Sequence, residues 1–392
     1  MTEGSSEWFR REFEQKYAES AREIGRFNLA IFGKTGVGKS TLVNAIFGTE
    51  VAATGIGAPV TVGSHLYMHA SGHFGVLDTQ GVEIGRDDRE ILGDLEQFVA
   101  QMRHRPLAEQ IHVAWYCVNA QDRRFERTEA EFIRALDRFA LPVLLVLTQV
   151  PMRHGEYHPD ALALRDAITA LELPLRGEPV FLTLAKPDPF SGMTEHGLHD
   201  LLDATFRVAP QGVGQALTAA QQIDLERKRK EAQAAIRVAV ASAGAAGLTP
   251  IPFSDAAILV PLQLTLMGRI ANIYGIEMEK ATVAALAATT AATTTGRSLA
   301  TGLLKLIPGV GTLVGGAISG GVASSLTWAM GQAWLAVCTR IAQGSLARAD
   351  GTLDRAAVQD LFLGQLREGL RRGSLEGKPK TGSGPPLGWS SS

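Results

Sequence analysis

The sequence predicts an α/β domain with a mostly parallel sheet, followed by an all-α domain rich in alanine and glycine. The first observation is that strand-like apolar runs alternate with helical segments between Arg26 and Pro210. The second is a sharp fall in charge, since only nine charged residues lie between Ile236 and Gln343. The third is a glycine-rich turn that directly follows the first apolar run, Phe27–Phe32.

The composition of the 392-residue chain argues against several classes of protein. A formal net charge of −2 gives no electrostatic basis for nucleic acid as the main partner. Cys117 and Cys338 lie in apolar stretches and provide no disulfide framework, so we expect both to be buried in a protein of a reducing compartment. The N-terminal residues are charged and contain no apolar signal segment, which predicts a cytoplasmic location.

Composition and periodicity divide the chain into five predicted segments. Residues 1–25 form an amphipathic helix, because Phe9, Phe13 and Tyr17 recur at helical spacing among charges. The other segments are the α/β domain at 26–210, a basic linker helix at 211–235, the apolar helical domain at 236–345, and a polar helix with a disordered tail at 346–392.

A phosphate-binding loop is predicted at Gly33-Lys34-Thr35-Gly36-Val37-Gly38-Lys39-Ser40, between a strand and a helix that continues through Thr41. Such a turn points backbone N–H groups and the positive end of a helix dipole at one spot. Gly36 and Gly38 allow the backbone to approach phosphates closely, Lys39 supplies a positive charge, and the Ser40 hydroxyl is a ligand for Mg²⁺. We therefore expect residues 33–41 to bind a nucleoside triphosphate.

Two downstream segments are placed to complete this site. Asp78 follows a short apolar strand, where its carboxylate can hold Mg²⁺ through water, and the Gly81 N–H can reach the γ-phosphate. Thr61 lies between the loop and that strand and is placed to close over the metal. We therefore expect Ser40, Thr61 and Asp78 to hold Mg²⁺, with Lys39, Thr61 and Gly81 acting on the reacting phosphate.

These motifs, in this order, resemble those of the Era-like P-loop GTPases. The resemblance extends from about Phe27 to Phe206, and it includes Leu184-Ala185-Lys186 and the last-helix sequence at Gly197–Leu202. It implies a G domain with a mostly parallel six-stranded sheet, with GTP or GDP and Mg²⁺ as ligands and GTP hydrolysis as the activity. It also implies that Thr148, Gln149, Ala185 and Lys186 surround the base.

The base-reading motif departs from the family pattern. Where these GTPases carry N/TKxD, this chain has Thr148-Gln149-Val150-Pro151. The family's Asp accepts hydrogen bonds that guanine offers and adenine does not, and a site with such a contact discriminates strongly. We expect guanine to remain preferred, with Gln149 over the base and the Ala185 N–H on its 6-carbonyl. An ATPase with altered base specificity is the alternative.

The catalytic motif also departs from the pattern. Val82 follows Asp78-Thr79-Gln80-Gly81, at the position where Ras-like relatives carry a water-orienting Gln. A hydrophobic side chain cannot orient water, so we expect slow hydrolysis unless Gln80, a homodimer partner or an activating protein supplies that group. A non-hydrolysing scaffold that nucleotide stabilises is the alternative.

The apolar C-terminal region resembles the YcjF-type helical domain, which is usually regarded as membrane-associated. The run Leu306–Thr339 contains no charge and is long enough to cross a bilayer. Trp328 and Trp334 are candidate interfacial residues, and Arg227–Lys230 could meet anionic lipid headgroups. The alternative is a bundle of closely packed small-residue helices away from lipid. The sequence thus predicts a nucleotide switch coupled to a domain at the cytoplasmic face of a membrane.

Five histidines lie near the nucleotide-binding motifs and are candidate ligands. His65, His69 and His73 recur every four residues, but residues 62–70 alternate like a strand. Residues four apart in a strand are separated by about 13 Å, too far to share one ion. We therefore expect a solvated hairpin face, and loop surface for His154 and His158 beside the base-reading motif.

Overall fold

The structure is a computed structural model, and its described residues fall into two compact units. It describes residues 3–48, 58–61, 64–78, 93, 96–97, 99–187, 190, 192–246, 255–294 and 320–376. The sheet unit comprises residues 14–232 and 268–281. The helical unit comprises residues 1–13, 233–267 and 282–392.

The sheet unit contains a seven-stranded, mostly parallel sheet with the order β2-β3-β4-β1-β5-β6-β9. The strands are β1 Phe27–Phe32, β2 Ala58–Thr61, β3 Ser64–Met68, β4 Phe74–Asp78, β5 Val113–Asn119, β6 Val143–Thr148 and β9 Phe181–Leu182. Strands β7 Met152–Arg153 and β8 Glu156–Tyr157 form a separate two-stranded sheet. Within the described part of the seven-stranded sheet, the pairs β2–β3 and β3–β4 are antiparallel and the other pairs are parallel. The predicted fold class is confirmed. The sheet has one strand more than the six expected, because β2 adds an edge strand beyond β3.

The central strands form where the sequence is continuously apolar. Every residue of β1 and of β6 is buried, as expected for parallel strands that are covered on both faces. Both cysteines are buried, as expected, and burial raises the pKa of both thiols, that of Cys117 in β5 to about 12. The helices of this part of the unit are α2 Lys39–Phe47, α3 Arg127–Arg138, α4 Pro159–Thr169 and α5 Leu198–Val208.

The segment predicted as one polar linker helix is two helices. They are α6 Gly214–Ala220 and α7 Leu225–Ala246. The buried Gln221 side chain accepts from the Asp224 N–H at 2.7 Å and donates to the Asp224 carbonyl at 2.9 Å. These bonds replace helical ones, since a side chain that bonds the backbone locally competes with the helix. Lys228, within the predicted basic run, is 1% exposed.

The helical unit is all-α in its described residues, as predicted. It draws on α1 Glu3–Ile24, α7, α8 Asp255–Ile273, α9 Met278–Thr294, α10 Gly320–Ala342 and α11 Arg355–Glu376. Phe9 and Phe13 of α1 are buried. Small residues allow close packing, because a Cβ at Gly331 would lie 2.9 Å from Ile236. The predicted tail beyond Glu376 lies outside the described residues.

Among the described residues, no helix is both long and apolar enough to cross a membrane. Residues 306–319 of the predicted apolar run lie outside the described residues, and α10 contains the rest. Trp334 is one of the two candidate interfacial residues, but it is fully buried and its indole N–H donates to the Met267 carbonyl at 2.8 Å. Its ring therefore packs in the core of the helical unit.

The histidine-rich hairpin forms as predicted, but its surface is not solvated throughout. Strands β3 and β4 pair across the turn that contains His69 and Gly72. His73 is 1% exposed, so the expected solvated face is wrong at this position. The reason is tertiary, because Gly25 and Asn272 supply hydrogen-bond partners that a local pattern cannot reveal. The His65 side chain lies outside the described residues.

Candidate nucleotide-binding site

The predicted phosphate-binding loop connects β1 to α2 through three glycines with positive φ. Gly33, Gly36 and Gly38 have φ values of 125°, 82° and 97°. A Cβ at Gly33 would lie 2.2 Å from the Cys117 carbonyl oxygen, so the close approach to β5 requires glycine there. The loop thus wraps tightly and delivers the chain into the first turn of α2 at Lys39.

The Lys39 ammonium lies inside the loop. It donates to the carbonyls of Gly33 at 2.7 Å and Lys34 at 2.9 Å. Ser40 and Thr41 are exposed in the first turn of α2, whereas the loop residue Val37 is buried. A cation surrounded by turned backbone at a helix N-terminus is a binding site for anions, and phosphate in particular.

Lys34 of the loop is paired with a residue that the sequence did not single out. Its ammonium lies 2.8 Å from the Glu126 carboxylate, which also accepts from Arg124. Lys34 and then Arg124 lower the pKa of Glu126 to about 2. Glu126 caps helix α3 in a reciprocal capping box with Glu129. Glu is not among the preferred N-cap residues, so no local sequence signal identified this position.

The Thr148 side chain holds the loop from the end of β6. This residue is 3% exposed, and its hydroxyl contacts the carbonyls of Val37 and Val118. A hydroxyl facing two carbonyls has one proton to donate, so it bonds one of them at a time. Thr148 was expected among the residues around the base, and the structure uses its hydroxyl to connect β5, β6 and the loop.

The predicted base-side residues are brought to one edge of the sheet. Gln149 has a φ of 54°, and its amide donates to the Gly36 carbonyl at 3.3 Å. Because β9 lies parallel to β6, Ala185 and Lys186 follow β9 at the same end as Gln149 follows β6. Ala185 is half-buried and Lys186 is exposed. The four residues predicted around the base, Thr148 included, therefore come from two adjacent strand ends.

The segment after Gln149 is held by backbone contacts. The Val150 N–H donates to the Thr183 carbonyl at 3.0 Å, and Val150 is fully buried. The Pro151 carbonyl accepts from the His158 N–H at 2.9 Å. The His158 ring accepts from the Asp160 N–H and caps α4, which agrees with its predicted place on a loop.

The predicted metal side is described only in part. Asp78 ends β4 opposite Ile31 of β1, so the backbone of Asp78 lies beside the strand that leads into the loop. Thr61 ends β2, with β3 between β2 and β4, and residues 79–82 lie outside the described residues. The exposed Ser40 hydroxyl and a carboxylate such as that of Asp78 are the kind of oxygen ligand that Mg²⁺ prefers, and the ion takes its remaining ligands from phosphate and water.

Two family matches cover most of the chain. Residues 28–149 match the family described as 50S ribosome-binding GTPase. Residues 212–362 match a domain of unknown function, DUF697. The first match contains the loop and Asp78, and the second begins just after the predicted α/β domain.

Curated relatives match part of the chain. The chain is 28% identical to GTPase Der of Geobacillus kaustophilus over 190 residues, which are 48% of this chain and 38% of Der. It therefore spans well under half the length of that relative. It is 30% identical to Magnetosome membrane protein 22 of Magnetospirillum gryphiswaldense over 100 residues, which are 24% of this chain and 51% of that protein.

Solved structures that resemble the chain include Era of Aquifex aeolicus bound to GDP and AlF₄⁻. It is 21% identical, with a TM-score of 0.32, over 48% of this chain and 58% of that one. The loop geometry, the sheet order and the two family matches together confirm the predicted resemblance. The chain therefore combines an Era-like P-loop GTPase domain with a C-terminal DUF697 domain of the YcjF type.

Proposed function

We propose that this protein binds GTP and GDP with Mg²⁺, hydrolyses GTP slowly, and acts as a nucleotide switch. The observation that carries the proposal is the loop itself, in which three positive-φ glycines surround the Lys39 ammonium at the N-terminus of α2. Buried Thr148 and the Gln149 amide support the loop from the side where a base would lie.

Each predicted residue then has one role. Lys39 exchanges its contacts with the loop carbonyls for phosphate oxygens, and the backbone N–H groups of residues 33–41 bind the remaining oxygens. Ser40, Thr61 and Asp78 would hold Mg²⁺, which neutralises phosphate charge when bound. The Gly81 N–H would contact the γ-phosphate.

A matched pair of lysine variants tests nucleotide binding. Lys39→Ala should abolish binding of a fluorescent GTP analogue while leaving the far-UV circular dichroism spectrum unchanged. Lys230→Ala is the control, because Lys230 is an exposed lysine of α7. Tight Mg²⁺-dependent binding by Lys39→Ala would refute the site.

Slow turnover follows from Val82, which has no group to orient water. Single-turnover hydrolysis by the purified protein should be slow at low concentration. An increase with protein concentration would indicate a homodimer, and an increase with cell extract would indicate an activating protein. No turnover under any condition would favour the nucleotide-stabilised scaffold.

Weakened base discrimination follows from Pro151, which stands where the family carries the base-reading acid. We propose that guanine is preferred through Gln149 and the Ala185 N–H. Competition of GTP against ATP for the labelled analogue tests this preference, and equal competition would favour the ATPase alternative. Pro151→Asp should sharpen discrimination against ATP and ITP, and no change in a folded variant would show that this segment does not read the base.

We further propose that the DUF697 domain associates with lipid at the cytoplasmic face of a membrane. The low charge of residues 236–343 supports this, and the matched magnetosome protein is named as a membrane protein. Binding to lipid should rest on apolar contact, because two of the four residues of the basic run Arg227–Lys230 are already paired or buried within the protein. Arg227 pairs with Asp203 and Asp224, and Lys228 is buried.

A flotation assay with anionic vesicles tests the lipid proposal. The full chain should float with the vesicles, and raising the salt concentration should release little of it, since screening acts on exposed charges. Release by salt would instead indicate binding through exposed basic residues such as Arg229 and Lys230. A chain that ignores vesicles at low salt would refute the proposal.

A further inference from the structure

His73 is a buried ring that lies between two oxygens. Its Nδ1 atom is 3.0 Å from the Gly25 carbonyl oxygen, and its Nε2 atom is 2.8 Å from the Asn272 Oδ1 atom. Gly25 immediately precedes Arg26 and strand β1, which leads into the phosphate-binding loop. Asn272 lies in the last turn of helix α8. One side chain thus contacts the start of the loop strand and the end of a DUF697 helix.

The orientation of the Asn272 amide is fixed by its other partners. Its nitrogen donates to the carbonyls of Tyr17 at 3.0 Å and Gly268 at 2.9 Å. The amide oxygen therefore faces His73 and can only accept. The Gly25 carbonyl can only accept as well, so both oxygens require a proton from the same ring.

A neutral imidazole carries one N–H and meets one of these two demands at a time. Burial first, and then the nearby Lys228 on α7, hold the pKa of His73 below its ordinary value, despite the hydrogen bonds to Gly25 and Asn272 that favour the charged ring. The ring is therefore neutral near pH 7. It has two alternative tautomers, one bonded to Gly25 and the other bonded to Asn272.

We propose that His73 is a two-state contact that couples the nucleotide site to helix α8, bonding Gly25 in one nucleotide state and Asn272 in the other. The proposal rests on the proposed nucleotide binding. Its physical route is strand β4, which begins directly after His73 and ends at Asp78. Five strand residues span about 16 Å, and β4 is paired with β1 along this length. A displacement at Asp78 is thereby passed to His73.

His112, a second buried histidine of this region, has hydrogen-bond partners that a single tautomer satisfies. His112 accepts from the Asn28 N–H at its Nδ1 atom, at 2.9 Å, and its Nε2 atom donates to the Leu107 carbonyl at 2.8 Å. One neutral tautomer satisfies both partners, so His112 has no second state. It is the matched control for His73.

Two substitutions separate the two states of His73. The amide nitrogen of Asn can take the place of Nδ1, so His73→Asn retains the bond to Gly25. The longer Gln places its amide nitrogen near Nε2, so His73→Gln retains the bond to Asn272. One net hydrogen bond is worth about 0.5–1.5 kcal/mol, which corresponds to about 2- to 12-fold in an equilibrium. The two variants should therefore change the ratio of GTP-analogue to GDP affinity in opposite directions by that factor.

The control is His112→Asn, whose amide oxygen can still accept from the Asn28 N–H. It should lower stability without changing the affinity ratio. Folded His73 variants that retain the wild-type ratio, or that both change it in the same direction, would overturn the proposal. Wild-type protein that binds no nucleotide would refute the proposed function, and the coupling would be refuted with it.

Hydrogen–deuterium exchange of the unmodified chain gives a second test that needs no variant. The last turn of α8, Gly268–Ile273, should exchange at different rates with the GTP analogue and with GDP. Equal rates, in a protein shown to bind both nucleotides, would overturn the coupling while leaving the nucleotide site intact.

Discussion

Replacement of Lys228 by methionine removes a buried amino group from the sheet unit. Lys228 is 1% exposed, and its Nζ atom donates to the Ala219 carbonyl at 2.8 Å and to the Ile273 carbonyl at 2.9 Å. These carbonyls belong to the last turns of α6 and α8, where helices lack internal donors. A neutral amine retains two N–H groups, so either protonation state can satisfy both carbonyls.

Two effects of similar size oppose each other in this variant. Burial lowers the pKa of Lys228 from its ordinary 10.5 to about 7, which corresponds to about 5 kcal/mol against the charged form. Methionine removes that penalty, but it leaves two buried carbonyls without their donor, at about 1–3 kcal/mol each. The stability difference at a single pH therefore says little about the mechanism.

The pH dependence separates the two effects. Between pH 7 and 10.5 the unfolded chain keeps the Lys228 proton and the folded chain loses it, so wild-type stability rises with pH. Below pH 7 both states are protonated and this slope vanishes. The wild type should therefore gain stability over Lys228→Met with a slope that rises to about 1.4 kcal/mol per pH unit above pH 7, which gives about 2 kcal/mol between pH 7 and 9.

Urea unfolding of both proteins at several pH values measures this gain. Lys230→Met is the control, because an exposed lysine on the same helix should give the same pH dependence as the wild type. A wild type and a Lys228→Met variant whose stabilities run parallel from pH 7 to 9 would refute the reasoning. That result would mean that the Lys228 ammonium stays charged in the fold.

Three further predictions concern the phosphate-binding loop, Thr148, and the two buried histidines. Gly33→Ala should abolish nucleotide binding and lower stability by at least about 2 kcal/mol in thermal unfolding, because its Cβ would overlap the Cys117 carbonyl. Gly36→Ala is the control: its Cβ meets no atom within 4 Å, so it should lower stability less. Thr148→Val should weaken GTP and ATP binding alike in titrations, since its hydroxyl holds the loop; a change in their ratio alone would contradict this role. Burial lowers the pKa of His73 and His112, so the unfolded chain binds protons that the folded chain does not, and stability should fall as pH drops below about 6.5. The fall should be up to about 1.4 kcal/mol per pH unit for each histidine. In urea unfolding, His112→Asn should show a smaller fall than the wild type.

Contiguous features of this chain were predictable from the sequence. The strands β1, β5 and β6 are buried on both faces, and each of them is recognisable from its own continuous apolar sequence. The phosphate-binding loop is equally local, because eight adjacent residues contain the glycines, the lysine and the hydroxyl that the turn needs. Such features depend on backbone conformation and on neighbours along the chain.

Only the tertiary structure decided which distant polar groups meet. Lys34 pairs with a carboxylate 92 positions away, and His73 contacts an amide 199 positions away. Lys228 lies in a basic run that predicts an exposed surface, yet two helix ends bury it. A sequence pattern records which face of one element is apolar, but it contains no record of which other elements cover its polar residues. The hydrogen bonds that make buried polar groups tolerable are therefore set by packing, and only the assembled fold shows them.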